Sequence, residues 1–129
     1  MELKLPARAE NVAVVRHAFG GFAEALSVDE QTLADIKLAV TEACTNVVIH
    51  AYAHDDVGDL EVDAMIDDER LTVIIRDNGR GIVPRPDSPG LGLGLPLIAT
   101  LAETLELGKG GTEHTEVRMT FLLDGEHEA

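Results

Sequence analysis

The stretch Leu60-Glu-Val-Asp-Ala-Met-Ile66, Asp67-Asp-Glu-Arg70, Leu71-Thr-Val-Ile-Ile-Arg76 decides the fold class. In its first part Leu60, Val62, Ala64 and Ile66 alternate with Glu61, Asp63 and Met65. That is the two-residue period of a strand with one covered face. Asp67 to Arg70 is short and polar, as a hairpin connection should be. Leu71 to Arg76 is rich in β-branched residues and reads as an inner strand. Strands this close in sequence pair as a hairpin, whereas a parallel pair needs a long crossover.

Working outward toward the N-terminus, Ala43, Cys44, Val47 and Ala51 continue an apolar stripe begun by Ile36 and Val40. The spacing predicts a helix from about Val28 to about Ala53, opened by the capping-box pattern Ser27-x-x-Glu30. Asp35, Glu42 and Asn46 fall on another side of it. Asn11 to Leu26 also has helical spacing, in Val12, Val15, Phe19, Phe22 and Leu26, weakened by Gly20-Gly21. Leu3 to Leu5 reads as a short edge strand ended by Pro6. Toward the C-terminus, Asp77 to Gly94 reads as loop, with five glycines and three prolines. Pro96 to Leu105 reads as a helix and Leu105 to Leu107 as a strand. Gly108 to Gly111 reads as a turn. Thr115 to Leu123 is a last strand with Val117, Met119 and Phe121 on one face, and a polar tail follows from Asp124.

The order β-α-α-β-β-loop-α-β-β implies an α+β two-layer sandwich. Helices cover one face of a mixed, mostly antiparallel sheet, and a doubly wound parallel sheet is excluded. One domain, residues 1–129, is expected: the chain has 129 residues and no linker or repeat divides it. Hydrophobic residues make up 45 % and aromatics 3 %, so the core is built from Val, Leu, Ile and Ala. Ten Lys and Arg against 24 Asp and Glu give a net charge of −14. Direct nucleic-acid binding is therefore not expected, because phosphates are repelled. The charge keeps the domain in solution and favours a basic protein partner. A single Cys excludes an internal disulfide framework and a multi-Cys zinc knuckle. The N-terminus lacks a signal-peptide core and no apolar run approaches membrane-spanning length, so a cytoplasmic location without a membrane is expected.

Three constellations carry chemistry. In Glu42-Ala-Cys-Thr-Asn46 a carboxylate and a carboxamide lie one helical turn apart. Such a pair suits a hydrated Mg²⁺, which takes oxygen ligands and keeps several waters, and Glu42 suits a general base for a hydroxyl. In Asp77-Asn-Gly79-Arg-Gly81 an Asp at a strand end can accept from an exocyclic amine such as that of adenine, while glycines let backbone approach a flat ring. In Gly90-Leu-Gly92-Leu-Gly94-Leu-Pro96 closely spaced glycines feed a helix and can offer N–H groups to phosphate. Taken singly, each is also a solvated helix face, an ordinary turn or a bare connection. A Rossmann reading fails because prolines, not a strand, precede the glycines, and no Walker A string exists. His50 and His54 lack a third ligand for zinc. Cys44 on the apolar stripe reads as a packed core thiol.

In this order the three constellations resemble the conserved boxes of Bergerat-fold (histidine kinase-like) ATPases, from Leu3 to Leu123. The string Lys37-Leu-Ala-Val-Thr-Glu42-Ala-Cys-Thr-Asn46-Val-Val-Ile-His50-Ala-Tyr52 is similar, within that superfamily, to the anti-sigma regulatory serine/threonine kinases. The resemblance implies ATP and Mg²⁺ as cofactors, with Asn46 on the metal and Glu42 as catalytic base. It implies that Asp77 reads the adenine amino group, with Gly79 and Gly81 lining the base and Thr115 on the adenine side. It implies that Gly90, Gly92 and Gly94 close around the phosphates, and that Arg16 belongs to a partner-binding surface. The implied partners are an anti-anti-sigma factor, phosphorylated on Ser or Thr, and a sigma factor; a homodimer is a family expectation.

The chain departs from the family pattern in three places. Only eight residues, Ile82 to Pro89, separate Gly81 from Gly90. His114 precedes Thr115 where a smaller residue is usual. Only Arg80 and Arg85 are candidates for a lid cation. Two alternatives stay open on these residues: a nucleotide-binding interaction module without turnover, and the detached catalytic domain of a histidine kinase.

Overall fold

The computed structural model describes residues 1–51, 58–78, 94–110 and 114–123, apart from the side chains of residues 50, 51, 109, 110, 114 and 115. The first strand, β1 (Glu2–Pro6), leads into α1 (Ala9–Ala25) and α2 (Glu30–Asn46), which continues as a π-helical turn over Val47–Ala51. The hairpin strands β2 (Asp59–Asp67) and β3 (Arg70–Asp77) follow. Then come α3 (Leu95–Leu101), β4 (Thr104–Gly110) and β5 (His114–Leu122). The strands form one sheet in the order β1-β2-β3-β5-β4, and all four pairings are antiparallel. The hairpin read from the sequence is present in register, from Leu60 opposite Asp77 to Asp67 opposite Arg70. The β-branched strand β3 lies at the centre of the sheet, as expected.

Strand period and helix period meet on one side of the sheet. Leu60, Val62 and Ala64 of β2, and Leu71, Val73 and Ile75 of β3, point toward the helices and are buried. Val15 and Phe19 of α1, Ile36 and Val40 of α2 and Ile98 of α3 meet them in one core cluster. Each such side chain contributes about 1.5–3 kcal/mol on burial. Few aromatic rings take part: Phe19 and Phe22 pack edge to face with centroids 6.2 Å apart. On the other side of the sheet the Arg76 guanidinium bridges two strands. Its Nη1 donates to Asp63 on β2 at 2.5 Å and its Nε to Glu116 on β5 at 2.9 Å. Arg76 is mostly covered, and its two ion pairs tie β2, β3 and β5 together on the face opposite the helices. Among the described residues no helix is long and apolar enough to cross a membrane.

Several boundaries differ from the sequence reading. The N-cap of α2 is Asp29, whose carboxylate accepts from the Thr32 N–H at 3.1 Å; it is not Ser27. Ser27 instead closes α1. With φ at +59° it occupies the left-handed position of a Schellman motif, in which Val28 N–H donates to Ala23 O and Ser27 N–H to Glu24 O. Both α1 and β1 begin earlier than the apolar spacing suggests. The helix α3 stops at Leu101, because Ala102 turns extended and Glu103 N–H is captured by Thr120 O of β5 at 2.7 Å. Arg70 then holds the Glu103 carboxylate with two bonds, of 2.7 and 3.0 Å. Finally, Gly108–Gly110, read as a turn, pairs with Glu116–His114, so β4 runs three residues further than Leu107.

Candidate functional site

Of the residues singled out from the sequence, Glu42 and Asn46 lie in the C-terminal half of α2, Asp77 ends β3, and Gly94 precedes α3 against Glu42. Helical geometry puts Glu42 and Asn46 one turn apart on α2. Glu42 is half-buried. Asn46, expected on a solvated side, is only 4 % exposed. Asp77 ends β3 at 1 % exposure, on the helix-facing side of the sheet with Leu71, Val73 and Ile75. Asn46 and Asp77 are the two buried polar side chains among the described residues. Each has interaction partners within the chain. Burying a carboxylate and a carboxamide is costly unless they are satisfied, and folds seldom carry that cost without a use for it.

The register adds a second placement. Asp77 pairs with Leu60 on one side and with Thr115 on the other. The backbone of Thr115 therefore lies beside Asp77. Gly94 stands before α3 with φ +73° and ψ −1°, a conformation that favours glycine. A Cβ built there would fall onto Glu42 Oε1 and lie 3.2 Å from its Cδ, so the Glu42 side chain rests against the Gly94 backbone. The sequence reading grouped Gly94 with phosphate glycines and missed this contact. Its only sequence signal is a glycine directly before an apolar helical stretch. Gly79, Gly81, Gly90 and Gly92, and the lid candidates Arg80 and Arg85, lie outside the described residues, as does His54.

Arg16 is elsewhere. It lines a shallow apolar groove between α1 and the end of α2, with Val12, Ala13, Thr41, Thr45 and Ile49. Ile49 is 60 % exposed there. Cys44 faces the core with no exposure, and burial pushes its thiol up to about 12, so it is an inert packing group. Among the described residues no group of three or more His, Cys, Asp or Glu side chains is arranged to hold a metal ion. The oxygens of Glu42 and Asn46 nevertheless suit a hard cation that keeps most of its water.

A five-stranded antiparallel sheet covered by helices fits the fold of the histidine kinase-like ATPases. The profile of the histidine kinase-like ATPase domain matches residues 5–121, and the chain belongs to that family. Within it, the chain is 35 % identical to the serine-protein kinase RsbW of Bacillus cereus, over 83 % of this chain and 76 % of the relative. The serine-protein kinase RsbW of Bacillus thuringiensis matches equally, at 35 %. Two solved structures share the fold. A crystal structure of the RsbU and RsbW domains of a Mycobacterium tuberculosis protein superposes with TM-score 0.76 at 24 % identity, covering 95 % of this chain. The histidine kinase domain of a blue-light-activated kinase from Erythrobacter litoralis gives 0.59 at 22 %, covering 92 %. The chain spans 31 % and 62 % of those two solved chains.

Proposed function

We propose that the chain is an ATP-dependent protein serine/threonine kinase of the anti-sigma type. The observation that carries the reading is the coincidence of burial and motif: the two polar side chains the fold buries are Asn46 and Asp77. ATP is the nucleotide that an ATPase domain of this family takes. Asp77 accepts a hydrogen bond from the adenine amino group, with Thr115 beside it and Gly79 and Gly81 against the ring. Asn46 holds Mg²⁺ through its side-chain oxygen. Bound there, the metal offsets negative charge on the phosphates. Gly90 and Gly92 border the phosphates.

The acceptor is a Ser or Thr hydroxyl of an anti-anti-sigma protein. Glu42 takes the hydroxyl proton while the hydroxyl oxygen bonds to the γ-phosphorus. The bond from that phosphorus to the β,γ-bridging oxygen breaks, and ADP leaves with the electron pair. A sigma factor is the second partner, Arg16 belongs to the surface that meets partners, residues 1–129 fold as one domain, and the protein works in the cytoplasm and pairs with a second copy.

The test uses purified protein, its co-encoded anti-anti-sigma protein and ATP labelled at the γ-phosphate. Glu42→Ala is expected to bind Mg-ATP as the parent does and to transfer no label. Transfer equal to the parent's would remove Glu42 from the role. A second reading, a nucleotide-binding module without turnover, draws support from the short Ile82–Pro89 segment. It predicts that the parent protein itself labels no partner.

A further inference from the structure

We infer that Gly94 is a positioning residue for Glu42: its bare backbone is the stop against which the Glu42 carboxylate rests. The inference rests on the reading of Glu42 as the base, and it gives Gly94 a function different from that of the glycines preceding it. Two demands meet at this residue. The first is conformational, since φ is +73°. That demand alone would admit Asn, which tolerates the left-handed region. The second is steric. Any L-residue places its Cβ onto Glu42 Oε1, 3.2 Å from Cδ and 3.3 Å from the Glu42 Cβ. The Glu42 Cβ is fixed by the α2 backbone and cannot retreat, so only the carboxylate can swing away.

The stop itself is anchored. The Gly94 carbonyl accepts from Ile98 N–H at 2.9 Å, and Ile98 has no exposed surface. Core packing of Ile98 thus fixes α3, α3 fixes Gly94, and Gly94 limits where Glu42 can point. A general base must sit within hydrogen-bond reach of the proton it removes, and a displacement of about 1 Å costs up to about 100-fold in rate. A glycine that braces the base therefore controls turnover without touching the nucleotide.

Three variants test this: Gly94→Ala, Glu42→Ala and the double variant. Each is measured by thermal unfolding, by calorimetric titration with Mg-ATP, and by label transfer to the co-encoded anti-anti-sigma protein. Gly94→Ala is expected to slow transfer on the order of 10- to 100-fold while its Mg-ATP Kd moves less than about threefold. Its loss of Tm should be smaller by about 3 °C or more in the Glu42→Ala background than in the parent, because the colliding carboxylate is gone. Equal Tm losses in both backgrounds would overturn the inference. So would weakened Mg-ATP binding with an unchanged transfer rate at saturation, which would make Gly94 a phosphate contact. If Gly94→Ala does not fold, recovery of folding in the double variant supports the contact and an equally unfolded double variant rejects it. Parent-like transfer by Glu42→Ala would defeat the base reading, and with it the catalytic part of this inference, whereas the thermal cycle judges the contact separately.

Discussion

Asp77 stands directly opposite Thr115 across the ladder between β3 and β5. Asp77 is buried on the helix side, so its carboxylate is directed into the molecule rather than toward solvent. In the proposed site that pairing sets an acceptor and a hydroxyl-bearing residue at neighbouring positions for one edge of a purine. Asp77→Asn keeps the size and replaces one acceptor oxygen by a donor. It is expected to weaken Mg-ATP binding by about 1.5–3 kcal/mol, roughly 10- to 100-fold, read by calorimetry. An unchanged Kd would mean that the base binds elsewhere.

Ser27 closes α1 with φ +59°, where an L-residue is strained. Ser27→Gly is expected to raise stability by about 0.5–1 kcal/mol, the relief of strain being reduced by the greater freedom of glycine in the unfolded chain. The expected Tm increase is roughly 2–5 °C in a thermal melt. A lower Tm would show that the hydroxyl holds the turn.

Thr41 carries a buried hydroxyl oxygen with no hydrogen-bond partner among the described residues. Thr41→Val replaces that oxygen by a methyl of similar shape. It should stabilise the fold by about 1 kcal/mol, seen as a higher urea midpoint with an unchanged slope. Loss of stability would reveal a partner for the hydroxyl in solution.

Cys44 predicts the alkaline limit of the fold. Burial raises its pKa from 9.0 to about 12. A group whose folded pKa is raised gives its full contribution below the unfolded value and loses it as pH rises through the folded one. Stability should therefore fall between pH 9 and 12, with a slope of at most about 1.4 kcal/mol per pH unit from this thiol. Urea midpoints of the parent and Cys44→Ala across that range separate the thiol from the other alkaline groups; parallel curves would exclude it.

The elements most legible in the sequence were those whose periodicity matched their surroundings. The β2–β3 hairpin was readable because Leu60, Val62 and Ala64 alternate cleanly and the Asp67–Arg70 connection is short. Ile66 kept the same alternation yet is 40 % exposed, although Leu71 directly opposite it is buried. Boundaries were less legible where a distant strand decides them. Nothing local ends α3 at Leu101; the Thr120 carbonyl on β5 does. Likewise Gly108 and Gly110 suggest a turn until β5 supplies a pairing partner. Within the site, Glu42, Asn46 and Asp77 were readable from residue type and spacing. The burial of Asn46 was not, since helical periodicity placed it off the apolar stripe and only the fold encloses it. The contact of Gly94 with Glu42 joins residues 52 positions apart (94 − 42), beyond the reach of any local pattern.

The π-helical turn at Val47–Ala51 follows Asn46 immediately. Such a turn is a coil wound one residue loose. Rewinding the same residues as ordinary α-helix, with none removed, would swing all subsequent chain by about 100° around the helix axis, the turn of one residue. The slack in that coil thus acts as a rotational offset between the helix that presents Asn46 and the polypeptide that leads on to β2. Designers who rewound these residues as an ideal α-helix, keeping every one, would inherit the side chains but lose the angle at which the chain departs.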